Sequence, residues 1–99
     1  MMLNMYDLKT HKNRQFTVNS RTVVWFFDEE EHDASKLLPD NLFVTDERGN
    51  ELWNMREAVG REDTCVLLRI EGEKFYFTTF NGFSAWVNVN TLEVSEMKH

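Results

Sequence analysis

Hydrophobic positions fall into short runs with a period of two, separated by polar and glycine-bearing breaks. That is the pattern of strands joined by turns. The densest part is residues 64–94, TCVLLRIEGEKFYFTTFNGFSAWVNVNTLEV. Residues 65–70 are apolar except for Arg69, a run short enough to favour a strand. Gly72, free to take positive φ, marks a turn. In residues 75–80, Phe75 and Phe77 point one way and Tyr76, Thr78 and Phe80 the other. Asn81-Gly82 predicts a type I′ hairpin, because both residues tolerate positive φ. Ala85, Val87 and Val89 then alternate against Trp86 and Asn88. A turn at residues 88–91 and a last strand begun by Leu92 and Val94 complete a three- to four-stranded antiparallel meander.

The rest of the chain has the same character. Residues 2–8 and 15–18 are expected to pair as a first hairpin across the polar turn 10–13, with a further turn at Asn19-Ser20-Arg21. Residues 22–27, TVVWFF, are apolar on both faces. That predicts either a central strand covered on both sides or an edge used by a second subunit, and a homodimer is the commonest closed assembly. Residues 34–38 continue as a short helix stopped by Pro39. Residues 42–45 read as a strand and 46–50 as a turn. Residues 51–59 carry two patterns: a strand, or a helix with Leu52, Met55 and Val59 on one face between Asn50 and Gly60 caps. The adopted reading is a hairpin ending near Asn54, followed by a helical turn over residues 55–59. Asp46-x-x-Gly49-x-x-x-Trp53 resembles one hairpin of a β-propeller blade, but a propeller needs several blades and the chain is too short for them. The expected fold is a single mainly β domain over residues 1–99, all-β or α+β. Its antiparallel meander forms a curved sheet or small barrel, with one or two short helices, and the 33–38 segment packs against it.

Composition narrows the function classes. The chain has 99 residues, 41% hydrophobic, with eight Phe, three Trp and two Tyr, enough for one core. Cys65 is its only cysteine, so no internal disulfide forms, which fits a reducing, cytoplasmic setting. No stretch reaches membrane-spanning length, and residues 1–14 lack the apolar core of a signal peptide. Net charge is −6, which argues against general nucleic-acid binding. Residues 1–21 carry four bases and one acid, net +3, against seven bases and sixteen acids, net −9, in residues 22–99. A basic first hairpin lying beside its acidic neighbours explains this, and so does an acidic surface built for a basic partner.

Residues 28–33, DEEEHD, concentrate that acidity. They read as a solvated loop or first helical turn, as a partner-facing patch, or as a cation site using Glu29, His32 and Asp33. No calcium-loop spacing or paired His or Cys ligands support the last, and no metal or cofactor is expected. Cys65 lies in an apolar strand and reads as inert core. No nucleophile, phosphate-binding loop or zinc-protease motif is present, so an enzyme is not expected. The preferred expectation is a small soluble acidic protein-interaction module or inhibitor, immunity- or regulator-like. It would use a sheet edge, the acids Glu29, Glu30, Glu31 and Asp33, and the aromatics Tyr76 and Trp86 to bind a protein partner, a basic one if the acids carry the contact. Neither nucleic acid nor membrane is an expected partner. The alternative is a small-ligand-binding β domain with an aromatic-lined cavity. A small enzyme using His32 and nearby acids ranks last.

Overall fold

The computed structural model describes Leu8 and residues 11–97. Alternating side chains and tight turns build two four-stranded antiparallel meanders. β1 (Arg14–Val18), β2 (Arg21–Trp25), β3 (Leu42–Thr45) and β4 (Glu51–Asn54) lie in sequence order in the first sheet. β5 (Cys65–Glu71), β6 (Lys74–Thr79), β7 (Ser84–Asn88) and β8 (Val94–Glu96) do the same in the second. The fold is mainly β, as the alternation predicts, but among the described residues the strands divide between two open sheets and no barrel closes. The strand expected over residues 2–8 lies outside the described residues, apart from Leu8, which is in a turn.

Each hairpin has a local cause. β1 and β2 meet through the two-residue loop Asn19-Ser20, whose φ angles are 47° and 68°. Both are left-handed, as a type I′ turn requires. The Asn81-Gly82 turn is different: only Gly82 has positive φ, 90°. There, Gly82 N–H donates to Thr79 O (3.0 Å), Thr79 N–H to Phe83 O (2.8 Å), and Phe83 N–H to the Thr79 hydroxyl (3.0 Å). The Thr79 side chain thus holds a longer loop open. Residues 51–59 split where the adopted reading places them. β4 ends at Asn54, whose side chain accepts from Glu57 N–H (2.9 Å) and caps α1 (Met55–Val59). Residues 33–38 form only one 3₁₀ turn, Ala34–Lys36.

The inner faces of the sheets pack on each other. Val23, Trp25, Leu42, Val44 and Trp53 from the first meet Phe75, Phe77, Ala85 and Val87 from the second. Trp53 sits edge-on to Phe75 (5.4 Å between centroids) and Phe77 (5.9 Å). The other apolar face of β2 is covered within the chain: Val24 is 2% exposed, and Leu38 packs on the cluster it makes with Phe26 and Phe43. This central strand therefore gives no reason to invoke a second subunit.

One buried amide ties the sheets together. The Asn41 Nδ2 donates to Phe26 O (2.9 Å), past the end of β2, and to Cys65 O (3.1 Å), at the start of β5. Its Oδ1 accepts from Cys65 N–H (2.7 Å). Around it, Phe26 N–H donates to Asn41 O (2.9 Å), Asp40 N–H to Asp63 O (2.7 Å) and the Trp25 indole to Cys65 O (3.0 Å). Asp40 holds a left-handed φ of 51°, and its carboxylate pairs with Arg56 (3.0 Å).

Replacing Asn41 by Ala removes three buried hydrogen bonds and leaves the Cys65 N–H without its acceptor, while Cys65 O keeps the Trp25 indole. An orphaned buried group costs about 1–3 kcal/mol and a lost hydrogen bond about 1 kcal/mol, so Asn41→Ala is expected to destabilise by about 3 kcal/mol, read as a shift of the urea unfolding midpoint.

Candidate functional site: the outward face of the second sheet

The alternation that buries Phe75, Phe77, Ala85 and Val87 sends their neighbours outward. Strand register aligns Arg69, Tyr76, Trp86 and Ser95 in one row across β5 to β8. Tyr76 and Trp86 are direct cross-strand partners. Each ring carries a cation: the Arg69 guanidinium lies 4.4 Å from the Tyr76 centroid, and the Lys74 ammonium 4.4 Å from that of Trp86. Arg69 also reaches Glu71 (3.5 Å).

The next row sets Leu67 opposite Thr78, and Thr78 opposite Ser84, whose hydroxyls share a hydrogen bond of 2.9 Å. Met97 closes this row by donating its N–H to Ser84 O (2.8 Å). Leu67 is 64% and Met97 40% exposed, whereas Tyr76 and Trp86 are half-buried. Leu67, Arg69, Tyr76, Thr78 and Met97 border a shallow hollow of about 300 Å³. The result is an aromatic platform with two apolar side chains at one border and two cations on the rings. Such a face suits contact with another surface. Among the described residues it offers no nucleophile held by an oriented base.

Leu67, Arg69 and Met97 were not singled out from the sequence. Their signal is the parity of β5: Arg69 and Glu71 alternate with Leu68 and Ile70, which pack on the core. Leu67 shares the parity of Arg69 and Glu71 and faces outward with them, while the register shift between Cys65 and Leu67 lets Cys65, of the same parity, be buried. Phe80 does not join this face. It lies in the turn after β6, 61% exposed, and borders a different hollow.

The acidic run lies elsewhere, in the loop after β2. Among the described residues, no hydrogen bond, ion pair or ring contact links it to Tyr76 or Trp86. Its charges meet the basic first hairpin: Lys12 reaches Asp28 (3.3 Å) and Glu30 (3.4 Å), and Arg14 pairs with Glu29. Glu31 accepts from Asp33 N–H (3.0 Å). Asp33 in turn accepts from the Ser35 N–H (3.0 Å) and hydroxyl (2.7 Å). The Ser35 hydroxyl is thus directed to a carboxylate rather than to His32, which is exposed. No group of three or more metal-ligating side chains occurs among the described residues. The Glu30 N–H and Lys12 hold the Asp28 carboxyl below its ordinary value, and the Ser35 hydroxyl and N–H do so for Asp33. The same contacts raise Lys12.

Cys65 is fully buried, and its thiol donates to Leu67 O (3.3 Å). Burial pushes its pKa up to about 12. No helix among the described residues is long and apolar enough to cross a membrane. Comparisons with protein families, with curated proteins and with solved structures found no match.

The Cys65 thiol is expected to stay unmodified by Ellman's reagent at pH 8 in the native protein and to react promptly in urea; fast native reaction would contradict its burial. Asp28 and Asp33 have lowered pKa values, so their contribution is present above the ordinary value of 3.8 and is lost as pH falls through the lowered ones. The amide shifts of Glu30 and Ser35 should therefore hold steady from neutral pH to about 4 and move only below it.

Proposed function

We propose that this chain is a small protein-interaction module, acting as an inhibitor or regulator by covering part of its partner. The observation that carries this reading is the Tyr76–Trp86 pair, set on an outward sheet face beside the exposed Leu67 and Met97. Exposed apolar groups clustered on a small domain are the usual mark of a contact surface. Half-buried aromatics are also the side chains most often found at the energetic centre of an interface. Arg69 and Lys74 give the face two positive charges beside Glu71, so a partner segment that is apolar and flanked by carboxylates matches it best. A basic partner, suggested by the net charge of −6, would have to compete with Lys12 and Arg14 for Asp28, Glu29 and Glu30.

The test is capture of a partner from source-cell lysate by the tagged protein, followed by affinity measurement with the recovered partner. Trp86→Ala and Tyr76→Ala are each expected to weaken binding about tenfold or more, the effect of losing an aromatic anchor. Leu52→Ala, on the exposed part of the first sheet, should leave it unchanged. Binding that survives both aromatic substitutions would remove this face from the reading.

A further inference from the structure

Asp63 precedes β5 and is 3% exposed. One of its carboxylate oxygens is fully engaged. Oδ1 accepts from Thr64 N–H (2.9 Å), the Asn81 side-chain amide (3.0 Å) and, at 3.3 Å, Asn81 N–H. The other, Oδ2, is buried and has no hydrogen-bond partner among the described residues. Buried polar groups in folded proteins are almost always satisfied, so an orphaned carboxylate oxygen points to a missing donor.

The surroundings say which donor. Asp63 lines a hollow of about 370 Å³, together with Glu62, Ser35, Asn81 and Phe80. Glu62 adds a second carboxylate at the rim, and Phe80 presents an exposed ring. The neighbouring Asp40 has its own counter-ion in Arg56 (3.0 Å), whereas no ion pair is formed by Asp63 or Glu62 among the described residues. A planar cation with several N–H donors fits this combination. It can bond carboxylates through its edge and stack on an aromatic ring through its face. An ammonium offers the charge without the plane.

We propose that this hollow is a socket for an arginine side chain presented by a protein partner. Oδ2 is shielded from solvent, so the guanidinium seats first between the Glu62 carboxylate and the Phe80 ring and reaches Oδ2 as the side chains lining the hollow shift. The Phe80 backbone need not move: its N–H stays bonded to Thr64 O (2.8 Å). The socket is independent of the Tyr76–Trp86 face, so either can fail without the other.

The probe is N-acetyl-arginine methylamide, titrated into the ¹⁵N-labelled protein and followed by amide shifts. The expected result is saturable movement of the Asn81 and Thr64 amides, with weaker binding of the lysine analogue. Affinity should fall at least threefold in Glu62→Gln and in Phe80→Ala, both exposed and expected to fold, and remain unchanged in Trp86→Ala. Asp63→Asn should abolish the response, provided its spectrum stays native. Absence of saturation, or equal affinity in the wild type and the two rim variants, would overturn the proposal. So would a crystal structure grown with the probe that shows only a trapped water on Oδ2.

Discussion

The Asn41 amide is the contact on which the relation between the two sheets depends. It is fully buried where the chain enters β3, and it bonds backbone groups at the end of β2 and the start of β5. Only a carboxamide serves here, because the site needs donors toward two carbonyls and an acceptor toward one N–H. A carboxylate could not donate, and an apolar residue would take from the buried Cys65 N–H its acceptor, although Cys65 O would keep the Trp25 indole. With the strand ends fixed, the inner faces come into register and Trp53 meets Phe75 and Phe77.

Electrostatics follow position rather than composition. Much of the acidity in residues 28–33 is answered by Lys12 and Arg14 within the chain, while the outward face of the second sheet carries Arg69 and Lys74 on its rings. A net charge of −6 therefore describes the whole molecule without describing its surfaces. In solution, exposed pairs such as these contribute little to stability, but they decide what a surface offers to a partner.

The alternating strands were legible because a period of two is a local property. Phe75 and Phe77 against Tyr76, and Ala85 and Val87 against Trp86, could be sorted from the sequence alone, as could the break at Asn54. The buried polar residues could not. Asn41 finds Cys65 24 residues away, and Asp63 finds Asn81 at a separation of 18. Nothing in either neighbourhood announces the partner. The turn at Asn19-Ser20 was legible as a turn but not as the type I′ loop it forms without glycine, and the type expected at Asn81-Gly82 was overturned because the Thr79 hydroxyl draws that turn into a longer loop. The second cover of β2 comes from Leu38, in a segment whose 3₁₀ geometry has no clear periodic signature.

Each sheet keeps its strands in chain order. Within a sheet, then, pairing involves neighbours along the chain, and closing each hairpin costs little loop entropy except between β2 and β3, which residues 26–41 join. The non-local step is the meeting of the two meanders, which sets Trp53 against Phe75 and closes the Asn41 contacts. In kinetic terms this topology predicts two halves that assemble first and a docking event between them. A side chain of one half that bonds the other, as the Asn41 amide bonds Cys65, should add little while either half forms and should register when they join.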